Sequence, residues 1–204
     1  MEQTYFRKGF GLKREIAGTL SEDYHSQLVD RIRSANYTLQ VGDLTFRLAK
    51  EFGFCYGVDR AVEYAYESRK KFPDKRIFLV GEIIHNPHVN EKLEDMGITI
   101  LRPGADGRFE FQGIRSEDVV LIPAFGVRAA DFEALRARGC VLVDTTCGSV
   151  LSVWKRVERY AMDGFTAVVH GKHYHEETKA TASQVTKYEG GRYLVVRNME
   201  ETEL

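Results

Sequence analysis

Apolar positions along this chain alternate between two rhythms. A short unbroken apolar run at Ile77–Val80 predicts a strand buried on both faces, and Ile98–Leu101, Asp118–Ile122 and Val141–Val143 read as further strands. Between them, apolar residues recur at helical spacing: Val58, Ala61, Val62 and Ala65, then Phe132 and Leu135, then Val150, Val153, Trp154, Val157 and Ala161. Leu44, Phe46 and Leu48 alternate as one more strand, and Ala167–Val169 and Tyr193–Val196 add two. Asn86-Pro87 offers an N-cap and a first-turn proline for a helix through Leu93. Gly97, Gly139 and Gly164 stand where helices should stop. Strands alternating with helices predict an α/β fold of repeated strand–helix units, with small parallel sheets and right-handed crossovers. Residues 1–42 read differently. They are polar, carry Gly9, Gly11 and Gly18, and predict one helix from Ser21 to Ser34 with Ser21 as its N-cap and Leu28 and Ile32 on one face.

In open parallel sheets, ligands bind outside the carboxyl ends of the strands. The reactive side chains of this chain fall at those strand-to-helix junctions: Cys55 in GFCYGVDRAVE, His85 in GEIIHNPHV, the turn Pro123–Gly126, Cys147 in VDTTCGSV, and His175 in HGKHYHEETKATAS. A helix N-terminus favours anions, so a thiolate at Cys55 or Cys147 is easier to form and to hold against a metal. Each cysteine alone reads equally well as a small buried hydrophobe. Paired in matching junctions, they point to ligation or catalysis. Cys140 begins a strand, at the opposite end, and reads as structural. His25 reads as a solvated residue of the arm, and His88, in the first turn of a helix, as a surface residue or one that supports a site residue from behind. His170, His173 and His175 could gather around zinc, although no recognised ligand spacing supports it. His175-Glu176-Glu177 joins an imidazole to carboxylates, a pairing that can bind an anion and deliver protons.

Composition narrows the picture further. A net charge of −1 argues against a nucleic-acid surface. No apolar stretch approaches the roughly 20 residues that span a bilayer. The N-terminal residues lack a secretory apolar core and a transit-peptide character, so a cytoplasmic location is the expectation. Neither GxGxxG nor GxxxxGK[ST] is present, which disfavours a nucleotide-binding Rossmann domain.

Those four motifs, in that order, resemble the 4-hydroxy-3-methylbut-2-enyl diphosphate reductase family (IspH, or LytB) from about Tyr5 onward. The arm TYFRKGFGLKREI is similar to its cyanobacterial and plastid branch. The resemblance implies an iron–sulfur oxidoreductase of three pseudo-symmetric α/β domains around a 4Fe-4S cluster. Cys55 and Cys147 would be two of three cluster ligands, His85 and His175 would hold the substrate diphosphate, and Glu177 would supply a proton. Thr145 and Thr146 would be donors to cluster sulfur, and electrons would come from a ferredoxin or flavodoxin-type carrier. On this reading residues 1–42 are an arm, 43–147 a first α/β domain and 148–204 an incomplete second one. The third cysteine and a Ser/Asn diphosphate clamp are expected beyond Leu204. One departure is visible: many bacterial members carry a histidine where this chain has Phe125. Other readings are a non-catalytic anion-binding α/β module and a zinc hydrolase using Cys147 with His170, His173 or His175. If the resemblance holds, Cys55 and Cys147 should face one pocket, His85 and His175 should line the same cleft, and Cys140 should be buried away from it.

Overall fold

The strands expected from Ile77, Ile98, Asp118 and Val141 onward form a central parallel sheet. In the computed structural model, which describes residues 4–203, the chain begins with strand β1 (Tyr5–Phe6) and helices α1 (Lys13–Tyr24) and α2 (Gln27–Ser34). It continues through β2 (Thr38–Val41), β3 (Leu44–Arg47), α3 (Tyr56–Lys71), β4 (Ile77–Val80), α4 (Pro87–Asp95) and β5 (Ile98–Leu101). Then come β6 (Val119–Ile122), α5 (Ala129–Ala137), β7 (Val141–Asp144), α6 (Gly148–Met162), β8 (Thr166–His170), α7 (Glu176–Ser183) and β9 (Arg192–Val196).

The main sheet has the order β1-β7-β6-β4-β5, with every pairing parallel. Its register aligns Ile77 with both Ile98 and Val119, and Val119 with Val141. Successive side chains of a strand face opposite ways, so each run feeds two cores. Ile77, Leu79, Val119, Leu121, Val141 and Val143 pack on the side of α1, α3 and α4. Val80, Val120, Ile122 and Leu142 pack on the other side with Leu135 and Cys140. Beneath β6, buried Asp118 accepts hydrogen bonds from Arg76 (Nε 2.8 Å, Nη2 2.6 Å) and from the Arg115 N–H (2.7 Å). Burial raises its carboxyl, but these donors outweigh burial and hold it below the usual carboxylate range.

The first 42 residues depart from the sequence expectation. The chain makes two helices, because His25 and Ser26 are extended and Ser26, not Ser21, caps the second by accepting from the Val29 N–H (3.4 Å). Of the expected apolar pair, Ile32 is buried while Leu28 is 56% exposed. Helix α1 starts at Lys13 with no side-chain cap of its own. Its entry is held instead by the buried Glu67 of α3, whose carboxylate accepts from the Phe10 and Leu12 N–H groups. Leu44 and Phe46 do lie on a strand, but one that is exposed throughout and ends before Leu48, in an antiparallel hairpin of β2 and β3 turned at Gly42-Asp43, apart from the main sheet. Strands β8 and β9 form a separate parallel pair in register from Thr166↔Arg192 to His170↔Val196. Helix α7 had no apolar periodicity to announce it. Its buried residues are Thr178, Ala180, Thr181 and Ala182, small enough to pack closely against neighbouring helices. Among the described residues, no helix is long and apolar enough to cross a membrane.

Candidate functional site

Three of the four predicted reactive residues are helix N-caps, and the fourth precedes one. Cys55 caps α3, Cys147 caps α6, and His175 caps α7, where its Nδ1 accepts from the Glu177 N–H at 3.3 Å. His85 stands just before Asn86, whose side chain caps α4 by accepting from the Val89 N–H. Each group therefore sits where backbone N–H donors and the helix dipole favour negative charge.

The turn Pro123–Gly126 gathers these junctions. The Ala124 carbonyl accepts from the Cys147 N–H at 2.9 Å, and the Ala124 N–H donates to Ile83 at 3.2 Å. The neighbouring Phe125 ring stacks on His85, with centroids 4.6 Å apart, and meets His175 edge-on at 5.7 Å. Gly126 has φ of +75°, and the Trp154 ring of α6 lies where a Cβ would stand. A side chain at residue 126 would push α6 away from the turn.

The cysteine end closes through Gly57. A Cβ built there would lie 2.4 Å from the Cys147 Sγ, so only glycine lets the first turn of α3 rest against the second cysteine. Cys55, two residues earlier, is exposed, and Cys147 is half-buried. Arg60, one turn into α3, donates to the Thr146 carbonyl and fixes the peptide before Cys147. Two sulfur donors at abutting helix starts, with a glycine cradle between them, suit an iron–sulfur cluster in kind. Cys140 lies outside this group. It is buried, its thiol donates to the Leu135 carbonyl (3.5 Å), and burial pushes its pKa up.

At the other end the two histidines meet. Their Nε2 atoms are 3.1 Å apart, and Glu82 reaches the His85 Nδ1 at 2.9 Å. Glu176 lies 3.7 Å from the His85 Nε2, while Glu177 is exposed. His85, Phe125 and Glu176 also wall a cavity of about 280 Å³ at the carboxyl ends of β4, β5 and β6, rimmed by Arg102, Arg128 and Lys179.

Some expected roles do not match the geometry. The Thr145 hydroxyl donates to the Ile122 carbonyl (2.6 Å) and the Thr146 hydroxyl to Asp144 (2.5 Å). Both protons are spent on holding the strand-to-helix turn. The alternative zinc grouping of Cys147 with His170 or His173 is not among the metal-type groups of the described residues. The His170 ring contacts the Arg197 carbonyl, and His173 packs edge-on against Tyr174. Among the described residues, only His85, His175 and Glu176 form a metal-type group. Sequence reasoning missed Glu82, Arg60 and Asn90. Buried Asn90 pins the His85 loop by accepting from the Ile83 N–H (3.1 Å) and donating to the Ile84 carbonyl (2.9 Å). The signal was spacing: Arg60 and Asn90 each lie five residues after a predicted site residue, one helical turn into the helix that follows it.

A family model described as LytB protein matches residues 46–204, a span that holds all four motifs. The chain belongs to the LytB family. Relatives named 4-hydroxy-3-methylbut-2-enyl diphosphate reductase include one from Picosynechococcus sp., 46% identical over 201 residues, covering 98% of this chain and 48% of the relative. Another, from Gloeobacter violaceus, is 47% identical over 204 residues, with the same coverage of 98% and 48%. This LytB chain thus spans about half the length of the curated relatives it matches. A solved structure of (E)-4-hydroxy-3-methyl-but-2-enyl diphosphate reductase, described as the terminal enzyme of the non-mevalonate pathway, aligns with a TM-score of 0.61 at 30% identity. It covers 75% of this chain and 51% of that one. The corresponding reductase structure from Plasmodium falciparum shares the fold, with a TM-score of 0.64 at 22% identity over 76% of this chain and 45% of that one.

Proposed function

We propose that this LytB chain acts in the reductive dehydroxylation of 4-hydroxy-3-methylbut-2-enyl diphosphate, an oxidoreductase reaction. Two electrons and two protons convert that substrate to isopentenyl or dimethylallyl diphosphate and water. The observation that supports this reading is the joining of cysteine and histidine ends by one turn, with Ala124 holding the Cys147 backbone and Phe125 holding His85. Cys55 and Cys147 would hold a 4Fe-4S cluster with a third thiolate expected beyond Leu204, and the cluster would supply electrons and a Lewis-acidic iron.

The other roles fall to residues of this chain. His85 and His175 bind the diphosphate beside the N-termini of α4 and α7, where the helix dipoles and free N–H groups favour an anion. Phe125 cannot donate to a phosphate oxygen. It acts as a wall that fixes the His85 ring plane and excludes water from that side. Glu177 donates the proton that lets the substrate hydroxyl leave as water. Electrons reach the site from a small carrier of the ferredoxin or flavodoxin type.

The test is anaerobic reconstitution of the full reading frame that contains these residues, followed by a turnover assay with a reduced viologen. We expect about four iron and four sulfide per chain, with both lost in Cys55→Ser and Cys147→Ser. Glu177→Gln should keep the cluster and substrate affinity while turnover falls about 100-fold or more. A colourless, inactive protein, or full turnover from Glu177→Gln, would overturn the assignment.

A further inference from the structure

We propose that His85, His175 and Glu176 also form a binding site for a divalent first-row transition metal ion. Their ligand atoms all lie within 4.8 Å of one another. The two Nε2 atoms are 3.1 Å apart, and the Glu176 Oε2 is 3.7 Å from that of His85. An ion bonded to two imidazoles sets their nitrogens roughly 3.3 Å apart in tetrahedral geometry, or roughly 3.0 Å apart at a right angle. The observed spacing lies between these values, so the pair can accept an ion with little movement. Two histidines and one carboxylate leave further coordination positions open, a donor set that suits zinc and ferrous iron.

A second observation points the same way. Metal-bound histidines are ordinarily backed at the other ring nitrogen by a carboxylate or carbonyl, which fixes ring and tautomer. Glu82 does this for His85, reaching its Nδ1 at 2.9 Å, and the Phe125 stack fixes the ring plane. The His85 Nε2 lone pair is thereby presented to His175. Without an ion, the contacts define one hydrogen-bonded chain. The Glu177 N–H donates to the His175 Nδ1, the His175 Nε2–H donates to the His85 Nε2, and the His85 Nδ1–H donates to Glu82. Seating an ion moves the His175 ring proton to Nδ1 and gives up the 3.3 Å contact with the Glu177 N–H. The consequence for regulation rests on the proposed function: an ion here takes both nitrogens assigned to the diphosphate, so metal and substrate compete for one place.

The experiment is a cobalt(II) titration of the 204-residue chain carrying Cys55→Ser and Cys147→Ser, which removes the thiols that would bind the same ions. Serine suits both N-cap positions, and circular dichroism checks the fold. We expect one cobalt per chain with visible ligand-field bands, displaced one-for-one by zinc. Strong bands indicate four-coordination and weak ones six-coordination, and either supports the site. His85→Gln, which keeps bulk against Phe125, and His175→Ala should each weaken binding about 100-fold or more. Glu82→Gln should weaken it about 10- to 100-fold. Absence of saturable binding at millimolar cobalt by a folded chain, or binding unchanged in both histidine variants, would overturn the proposal. Cluster content and turnover are read on separate samples, so failure of one assignment leaves the other standing.

Discussion

Gly57→Ala probes the contact between the two cysteine-bearing helices without replacing either cysteine. Residue 57 is the second of α3, where alanine ordinarily stabilises a helix by about 0.5–1 kcal/mol over glycine. Here the new methyl would lie 2.4 Å from the Cys147 Sγ and 3.2 Å from its Cβ. Carbon and sulfur prefer more than about 3.5 Å, so the overlap exceeds about 1 Å. The Cys147 N–H is held by Ala124 and the preceding carbonyl by Arg60, so the backbone resists retreat. Overpacking of this kind costs about 1–3 kcal/mol. An overlap this deep belongs to the upper part of that range, about 2–3 kcal/mol, so against the helix gain the net loss is about 1–2.5 kcal/mol, a melting-temperature drop of ~2–10 °C for a chain of this size. Thermal unfolding followed by circular dichroism measures it, with Cys147→Ala as the second arm of a double-mutant cycle. Removing the sulfur leaves only the milder Cβ contact, so in that background Gly57→Ala should cost little or stabilise. Equal costs in both backgrounds, or a Gly57→Ala chain as stable as the parent, would refute the reasoning.

Two further outcomes follow from buried carboxylates. The Asp118 carboxyl is held below its usual range, so its contribution is complete above the unfolded carboxylate value and is lost as pH falls through the lower, folded one. Asp118→Asn should lower the melting temperature by ~3–6 °C at pH 7, with the gap narrowing below about pH 4 in a series of thermal scans. Glu67→Ala should free the α1 entry by removing the acceptor for two backbone N–H groups, a loss of about 2 kcal/mol. Limited proteolysis should then cleave ahead of α1 faster than in the parent chain, and unchanged cleavage would refute the anchoring role.

Periodicity determined much of this protein. The runs from Ile77, Val119 and Val141 had to become interior parallel strands, because a continuous apolar run satisfies two buried faces at once, whereas Ile98–Leu101, broken by exposed Thr99, forms the sheet edge. Asn86-Pro87 had to start a helix, and each glycine after a helical run had to end one. The motif residues lay at helix starts because a local cap signal or a following glycine put them there. Tertiary structure decided what local rules cannot weigh. Helix α1 starts at Lys13 because Glu67, more than 50 positions away, supplies the acceptor its own sequence lacks. Helix α7 is folded by close packing of small residues, which leaves no apolar rhythm to read. The site itself belongs to the same class of decision. His85 and His175 are 90 residues apart and meet through Phe125, and Cys147 reaches the α3 start only because residue 57 has no side chain. Sequence names the donors, since residue type and cap position are local properties. Distances between donors are set by how the helices pack, and that is a property of the whole fold.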